Sequence, residues 1–413
     1  MAQTPSPADI TAVQDVLKEV YVGDDVTSQI NEDCLAWGRI EQSSDHEVVG
    51  DKAIGFVKIG HNKSGSARSL NGGTLGAARH VGLDRWEMDY TAQYNQVKIL
   101  GTTIAKMASA RQAAVRAIDL EVNGAMTSIK RDLQRQIYGN GDALIVPCTT
   151  TTTSTTVLLD TTVGYDAVKT GFLSGSSANP MAIDIGTTGS EDSVVADALI
   201  TGVSLSTTAP SITIDSSVST TSSHYISVAD NRDGTTSYEM NGLRNLVDDA
   251  GTFMAIDSSS IAEWKSTIVD ANSTPLTRSY MQQAWRGIAQ YGDKPNLILT
   301  SLEQQEYYYD ELQAQVRFPS DKSLASGNVE GPLFRDVPVV ADPDCPRGDM
   351  YFLNTKRLFM ASAGNIEWQN VNTGGDILAW VQSEDAFVAR LAYYGNLGTE
   401  RRRSHGRLQE LTP

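Results

Sequence analysis

The chain has 413 residues, room for two or three compact units, with 40% hydrophobic and 20% charged residues, so wholesale disorder is excluded. Its 33 Lys and Arg face 50 Asp and Glu, a net charge of −17, which excludes gripping nucleic acid as the main task but allows a local basic face. There is no basic-then-apolar leader at Met-Ala-Gln-Thr-Pro and no apolar run long enough to span a membrane. Cys34, Cys148 and Cys345 lie far apart with no Cys-x-x-Cys pair. The expectation is a chain made and kept soluble in a reducing compartment, with no membrane partner.

Taken in order, Ile10, Val13, Leu17 and Val20 recur at steps of three and four and predict a short amphipathic helix over 8–22. Val48, Val49, Ile54, Phe56, Val57 and Ile59 predict short strands. A glycine-rich stretch from His61 to Gly82 follows, too poor in large apolar groups to bury a core of its own. Trp86 to Ile99 reads as a second strand run, with Trp86, Met88, Tyr90 and Tyr94 alternating with polar neighbours. Two strand runs around a glycine-rich tip predict a long two-stranded arm.

From Gly101 to Ile137 there is no proline. Ile104, Met107, Val115, Ile118, Val122, Met126, Ile129, Leu133 and Ile137 keep to one helical line, with Arg111 filling the gap. Thr102 or Thr103 caps the start, and Gly139-Asn140-Gly141 supplies the stop. Lys106, Arg116, Glu121, Lys130, Arg131 and Arg135 fall off the line, so the expectation is one long helix with a single buried face. Thr149–Thr156 is then an unbroken run of Thr and Ser. From there to about Met240, Thr, Ser, Val, Ile and Gly dominate, with runs such as Met181–Ile185 and Ser211–Asp215 that predict a small β unit inserted into a larger α+β body. Beyond Asn241-Gly242 the predicted helices are Ser258–Val269, Thr277–Tyr291 and Ser301–Gln315. The predicted strands there are Asn296–Thr300, Val337–Val340, Met350–Leu353 and Phe387–Tyr394.

The search for chemistry is negative: no catalytic, cofactor-binding or metal-ligating residue is assigned, and no cofactor is expected. Gly139-x-Gly141 follows a helix rather than a strand and lacks the third glycine of a dinucleotide fingerprint. There is no Gly-x-Ser-x-Gly elbow and no Walker-type loop. His46, His61, His80, His224 and His405 never stand three or four apart, and are read as scattered surface residues. Asn231–Gly234 resembles a calcium loop, but Ala229 and Met240 occupy the positions where carboxylates are required, so it is read as a turn. Tyr307-Tyr308-Tyr309 sits among Glu303, Glu306, Asp310 and Glu311, which favours packing over base stacking. Arg401-Arg402-Arg403 with Arg407 is the one dense basic run. Three roles stay open for it: facing DNA, pairing with acids on a neighbour, or a solvated tail.

The order of these elements resembles the major capsid proteins of tailed bacteriophages. The resemblance rests on the arm with its helix, the glycine-tipped hairpin (the family's E-loop) and the spine helix at about 101–138. It rests also on Gly331–Val340 with Asp342–Gly348 and Met350–Leu353, and on Arg390–Leu397 followed by Arg403–Leu408. It implies an α+β phage major-capsid fold. The segments would be an N-terminal arm (1–45), E-loop hairpin (46–99), peripheral domain with spine helix (100–147), β-rich insertion (148–240), axial domain (241–365), and return strands with a C-terminal tail (366–413). It further implies hexamers and pentamers of an icosahedral head around double-stranded DNA, with no enzymatic activity. Partners would be further copies of the chain, a separate scaffolding protein, a portal, a decoration protein, and packaged DNA by non-specific contact. The virion is the implied location, after assembly in the host cytoplasm.

Some family members crosslink an E-loop lysine to a neighbour's asparagine. Lys52, Lys58 and Lys63 lie in the hairpin, but no matching asparagine or acid is identifiable, so this chemistry is not carried over. The arm begins almost at Met1, so the cleaved scaffold-like segment of some members is expected to be absent. The competing readings are an encapsulin-type nanocompartment shell, which shares the fold, and a Thr/Ser-rich surface-binding protein.

Overall fold

The computed structural model describes residues 34–40, 42–43, 48–49, 52–62, 79–102, 111–162, 164–206, 209–313, 332–369, 379–381 and 383–412. The helix expected over 8–22, the tip of the glycine-rich stretch, residues 103–110 and His46 lie outside them. In chain order the main strands begin with β1 (Lys52–Gly60), β2 (Gly82–Asp89) and β3 (Thr91–Leu100), followed by helix α1 (Arg111–Tyr138). Then come β4 (Thr151–Leu158), β5 (Met181–Thr187), β6 (Ser190–Ser204), β7 (Ser211–Thr220), β8 (Tyr225–Val228) and β9 (Thr267–Thr274). The rest are α2 (Arg278–Ala289), β10 (Leu297–Thr300), α3 (Leu302–Gln313), β11 (Val337–Ala341), β12 (Met350–Leu353), β13 (Ala386–Thr399) and β14 (Gly406–Leu411).

These form two compact units. One gathers Thr91–Met240 and Ser362–Gly395 with the segment ending at Gly38; the other gathers Arg39–Tyr90, Asn241–Ala361 and Asn396–Pro413. In the first unit, β3 runs antiparallel to β13 in unbroken register from Ala386↔Leu100 to Gly395↔Thr91. The odd-numbered face of this pair (Val97, Ile99, Ala389) packs on Ala125 of α1, while Tyr94, Gln96 and Arg390 face outward. The run Trp86–Ile99 is therefore divided at Tyr90: only its first half, β2, belongs to the hairpin.

The Thr-rich region forms a six-stranded sheet in the order Val146–Pro147, β8, β5, β6, β7, β4. All its pairings are antiparallel. It has its own core of Val146, Val157, Ile183, Ile185, Ile200, Ile212 and Ile226 from its strands, many of them β-branched, together with Leu173 from the β4–β5 connection. Thr151 and Thr220 join hydroxyls across β4 and β7 at 2.6 Å, so the Thr run is edge structure rather than linker.

The long helix departs from the single-faced expectation. Ile129, Leu133 and Ile137 are buried on the predicted line, but Arg131, Gln134, Arg135 and Gln136 are buried as well. Arg131 donates to the Thr170 carbonyl at 3.0 Å. Arg135 pairs with Asp132 at 2.9 Å and with Glu239, and its guanidinium lies 4.8 Å from the Phe172 ring. A helical stripe reports only the apolar interface; here the last two turns gain a second, polar one from residues 170–172 and 239. Gly139 follows the helix end at Tyr138, and Gly141 takes φ +74, which glycine adopts without strain.

The second unit is built on a six-stranded mixed sheet in the order β9, β14, β12, β10, β11, Leu333–Phe334. β9 is parallel to β14 and β10 parallel to β11; the central pairs are antiparallel. Every residue of β10 and of β12 is buried, as continuous apolar runs covered on both faces require. α2 buries Met281, Ala284, Trp285 and Ile288, the spacing of one helical stripe. The helix expected at Ser258–Val269 is absent. The Asp257 carboxylate accepts the Ser259 amide at 2.9 Å and the Ser260 hydroxyl at 3.1 Å, a local turn that competes with helix. A short 3-10 turn, Ala262–Trp264, then leads into β9, whose Thr267, Ile268 and Val269 are β-branched. Residues 406–411, expected in the tail, form β14, an interior strand of this sheet.

Candidate functional site

The β1–β2 hairpin is amphipathic along its length. At its base Ala53, Trp86 and Met88 are buried; toward its tip Phe56 is 74% exposed and Leu83 64% exposed. Phe56 lies opposite Arg85, and Lys58 opposite Leu83. The base is held by Trp86, whose ring stands 5.7 Å from Phe359, and by the Glu87 amide donating to the Met254 carbonyl at 3.2 Å. Gly55 is required there: a Cβ on it would lie 2.4 Å from Cζ2 of Trp86. Lys52, one of the hairpin lysines, is occupied by Asp89 at 3.2 Å and Glu87 at 3.4 Å, which raise its pKa.

Alongside the hairpin, within the same unit, is a cleft of about 820 Å³ lined by Gly55–His61, Trp86, Trp264, Arg357 and the turn Glu400–Arg403. The basic run therefore sits here, with each arginine held differently. Arg401 pairs with Asp293 at 2.9 Å and donates to the Tyr291 carbonyl at 2.7 Å. Arg402 is fully buried and donates to the carbonyls of Leu246 and Asn245, both at 2.9 Å, Ala250 at 3.3 Å and Trp264 at 3.4 Å. Its burial pushes its pKa down to about 10. Arg403 stacks on Tyr291 at 4.1 Å, and its Nε is buried without a hydrogen-bond partner. Arg407, on β14, is buried and donates to the Arg244 carbonyl at 3.2 Å. Neither Arg402 nor Arg407 is solvated; alternation through a turn and a strand sends them into the core.

His405 departs from the surface position expected of it. It is fully buried, accepting the Asn354 amide on Nδ1 at 3.3 Å and facing the Thr399 hydroxyl from Nε2 at 3.0 Å. Burial pushes its pKa down to about 3. His61 and His80 are exposed. Of the three tyrosines, Tyr308 alone is buried, donating to the Leu333 carbonyl at 3.1 Å and meeting Phe334 edge-on at 6.3 Å. Consecutive helical residues point about 100° apart, so only one can face inward. Asn231–Gly234 is part of a small hairpin in which Asp233 pairs with Thr236 and Gly234 has φ +61. Among the described residues no three His, Cys, Asp or Glu side chains are placed to hold a metal ion, and no helix is long and apolar enough to cross a membrane. The sequence reading missed the fit of Gly55 to Trp86, which needs the cross-strand register of the hairpin, and the cleft, which joins residues some 200 to 350 positions apart in the chain.

The fold is that of a phage shell subunit. A structure entitled cyanophage A-1(L) capsid asymmetric unit superposes with a TM-score of 0.58 at 13% identity, covering 95% of this chain and 96% of that one. An encapsulin complex from Synechococcus elongatus PCC 7942 (TM-score 0.48, 8% identity, 98% and 96% covered) and the capsid of Myoviridae phage XM1 (0.46, 8%, 96% and 98%) are looser matches. No curated protein matches the chain. Residues 219–381 match the family model described as SU10 major capsid protein. That match spans less than half of the chain and lies within the same capsid-type fold.

Proposed function

We propose that this subunit forms the hexamers and pentamers of a closed icosahedral head around double-stranded DNA, and that its task is structural rather than catalytic. The observation that carries the reading is the hairpin. It is anchored at its base by Trp86 and Met88, yet presents Phe56 and Leu83 to solvent. Exposed apolar side chains on an arm without its own core are satisfied by burial on another copy. In this reading the hairpin is the E-loop lying across a neighbour, α1 is the spine helix, and the β4–β8 sheet is an insertion on the outer face. Asp166, Asp184 and Arg232 of that sheet region are buried, and the accessible acids Asp160, Glu191, Asp192, Asp197 and Asp215, against Lys169, favour a surface turned away from phosphate. Scaffolding, portal and decoration proteins would be its partners in the host cytoplasm.

Electron microscopy and sedimentation of the purified chain, alone and with a co-expressed scaffolding protein, test this. Closed shells or rings are expected; a stable monomer under every condition would overturn it. Shells recovered with a protein cargo and no DNA would favour the nanocompartment instead. Replacing 150–238 by a short Gly/Ser linker should leave assembly intact, and soluble subunits unable to assemble would refute the outer-face placement.

A further inference from the structure

In a chain with a net charge of −17, the cleft beside the hairpin has the opposite sign. Lys58, Arg357, Arg401, Arg402 and Arg403 line it, against Glu263 and Glu400. Within the unit Arg357 is neutralised by Glu400 at 2.8 Å and Arg401 by Asp293. Lys58 and Arg403 have no carboxylate partner among the described residues, and exposed Phe56 stands on the cleft's wall beside them.

The complementary surface is on α3. Glu303 is held by Arg347 at 2.5 Å, and Glu311 accepts the Arg278 amide at 3.0 Å. Glu306 and Asp310 have no partner among the described residues and are exposed. They share a helical face with Leu302, 53% exposed, and Tyr309, 42% exposed, at spacings of three and four. The face therefore carries two carboxylates flanked by two apolar groups; the cleft carries two free cations flanked by Phe56. Both lie in the same unit, and each is left unsatisfied in its own subunit.

We propose that the basic cleft of one subunit receives the Leu302–Glu306–Tyr309–Asp310 face of α3 from a second copy of this chain. The inference rests on the shell-subunit reading above. Two different patches meeting head to tail make a heterologous contact, which closes into a ring when the rotation between copies permits, as a capsomer requires. Charge complementarity sets the register of such a contact, and the apolar flanks supply burial.

Charge reversal tests it with the full chain. Lys58→Glu and Glu306→Lys, both at exposed positions, should each raise the concentration at which half the chain is assembled by about ten-fold, because like charges then face each other. The double variant K58E/E306K should return close to wild type. Unchanged circular dichroism and melting of each single variant exclude misfolding. As a second measurement, Lys58→Cys combined with Glu306→Cys should give a ladder of disulfide-linked oligomers in assembled material, because each copy then links to two neighbours. Defective single variants without rescue in the double, or single variants that assemble normally, would overturn the pairing while leaving the shell reading intact. Wild type that never assembles would overturn both. If Lys58→Glu instead weakens binding of a DNA duplex, and Glu306→Lys leaves assembly unchanged, the cleft holds phosphate and the inference fails.

Discussion

Arg135, near the C-terminal end of the long helix in the first unit, and Arg402, in the turn before the last strand of the second, are both buried, and they are neutralised by different means. Arg135 meets carboxylates: Glu239, itself buried, and Asp132. Burial by itself lowers its pKa, but the two negative charges outweigh it and hold the group above its ordinary value. Arg402 meets neutral dipoles, four backbone carbonyls and the face of Phe253 at 5.3 Å, and burial prevails, leaving it at about 10. An ion pair concentrates compensation in one partner, so losing that partner strands a charge. A carbonyl cage spreads compensation over several weaker contacts, each of which is removed at a smaller cost.

The comparison makes graded expectations. Glu239→Ala should destabilise the first unit most, by about 3–5 kcal/mol, because Arg135 stays charged and buried with only Asp132 beside it. Denaturant unfolding measures this, and a loss under about 1 kcal/mol would show that Asp132 suffices. Arg402→Met removes the charge with its donors and leaves carbonyls unpaired; roughly 2–4 kcal/mol is expected in the second unit. A larger loss than for Glu239→Ala would reverse the comparison.

The second unit should also carry an acid sensitivity through His405. Its folded pKa of about 3 lies below the ordinary histidine value of 6.5, so the unfolded chain binds the proton more tightly and stability falls as pH drops below 6.5 toward 3. By pH 5 the loss is about 2 kcal/mol, and a His405→Asn variant should show a flatter profile between pH 7 and 5. The smallest effect calibrates the first unit. Gly124 lies on the exposed side of α1 with nothing within 4 Å of an added Cβ, so Gly124→Ala should stabilise by about 0.5–1 kcal/mol. If its melting transition does not move while that of Glu239→Ala does, the long helix is not limiting for unfolding of its unit.

Local pattern made much of this molecule readable in advance. The largely apolar runs at Leu297–Thr300 and Met350–Leu353, the stripe of Met281, Ala284, Trp285 and Ile288, and the Thr- and Ile-rich strands of the β4–β8 sheet follow from periodicity and β-branching. Those preferences act between near neighbours in the chain and survive in almost any packing. Where Asp257 captured the backbone of Ser259, a local side-chain bond defeated a helix that composition favoured.

Charged residues marked the limit. Arg131, Arg135, Arg402 and Arg407 carry side chains that solvent would welcome, and no periodicity distinguishes them from Arg401 or Lys130. Their burial was decided by partners brought from far along the chain: Thr170 and Glu239 for the helix arginines, Asn245, Leu246 and Trp264 for Arg402, and Arg244 for Arg407. The sequence by itself determined most of the described strands and helices and the acidic balance, because these depend on residue types and on contacts a few residues long. Only the tertiary structure decided which cations are held in the core and which, like Lys58 and Arg403, line a cleft, because a charge leaves water only where distant carbonyls and carboxylates have already been gathered to meet it.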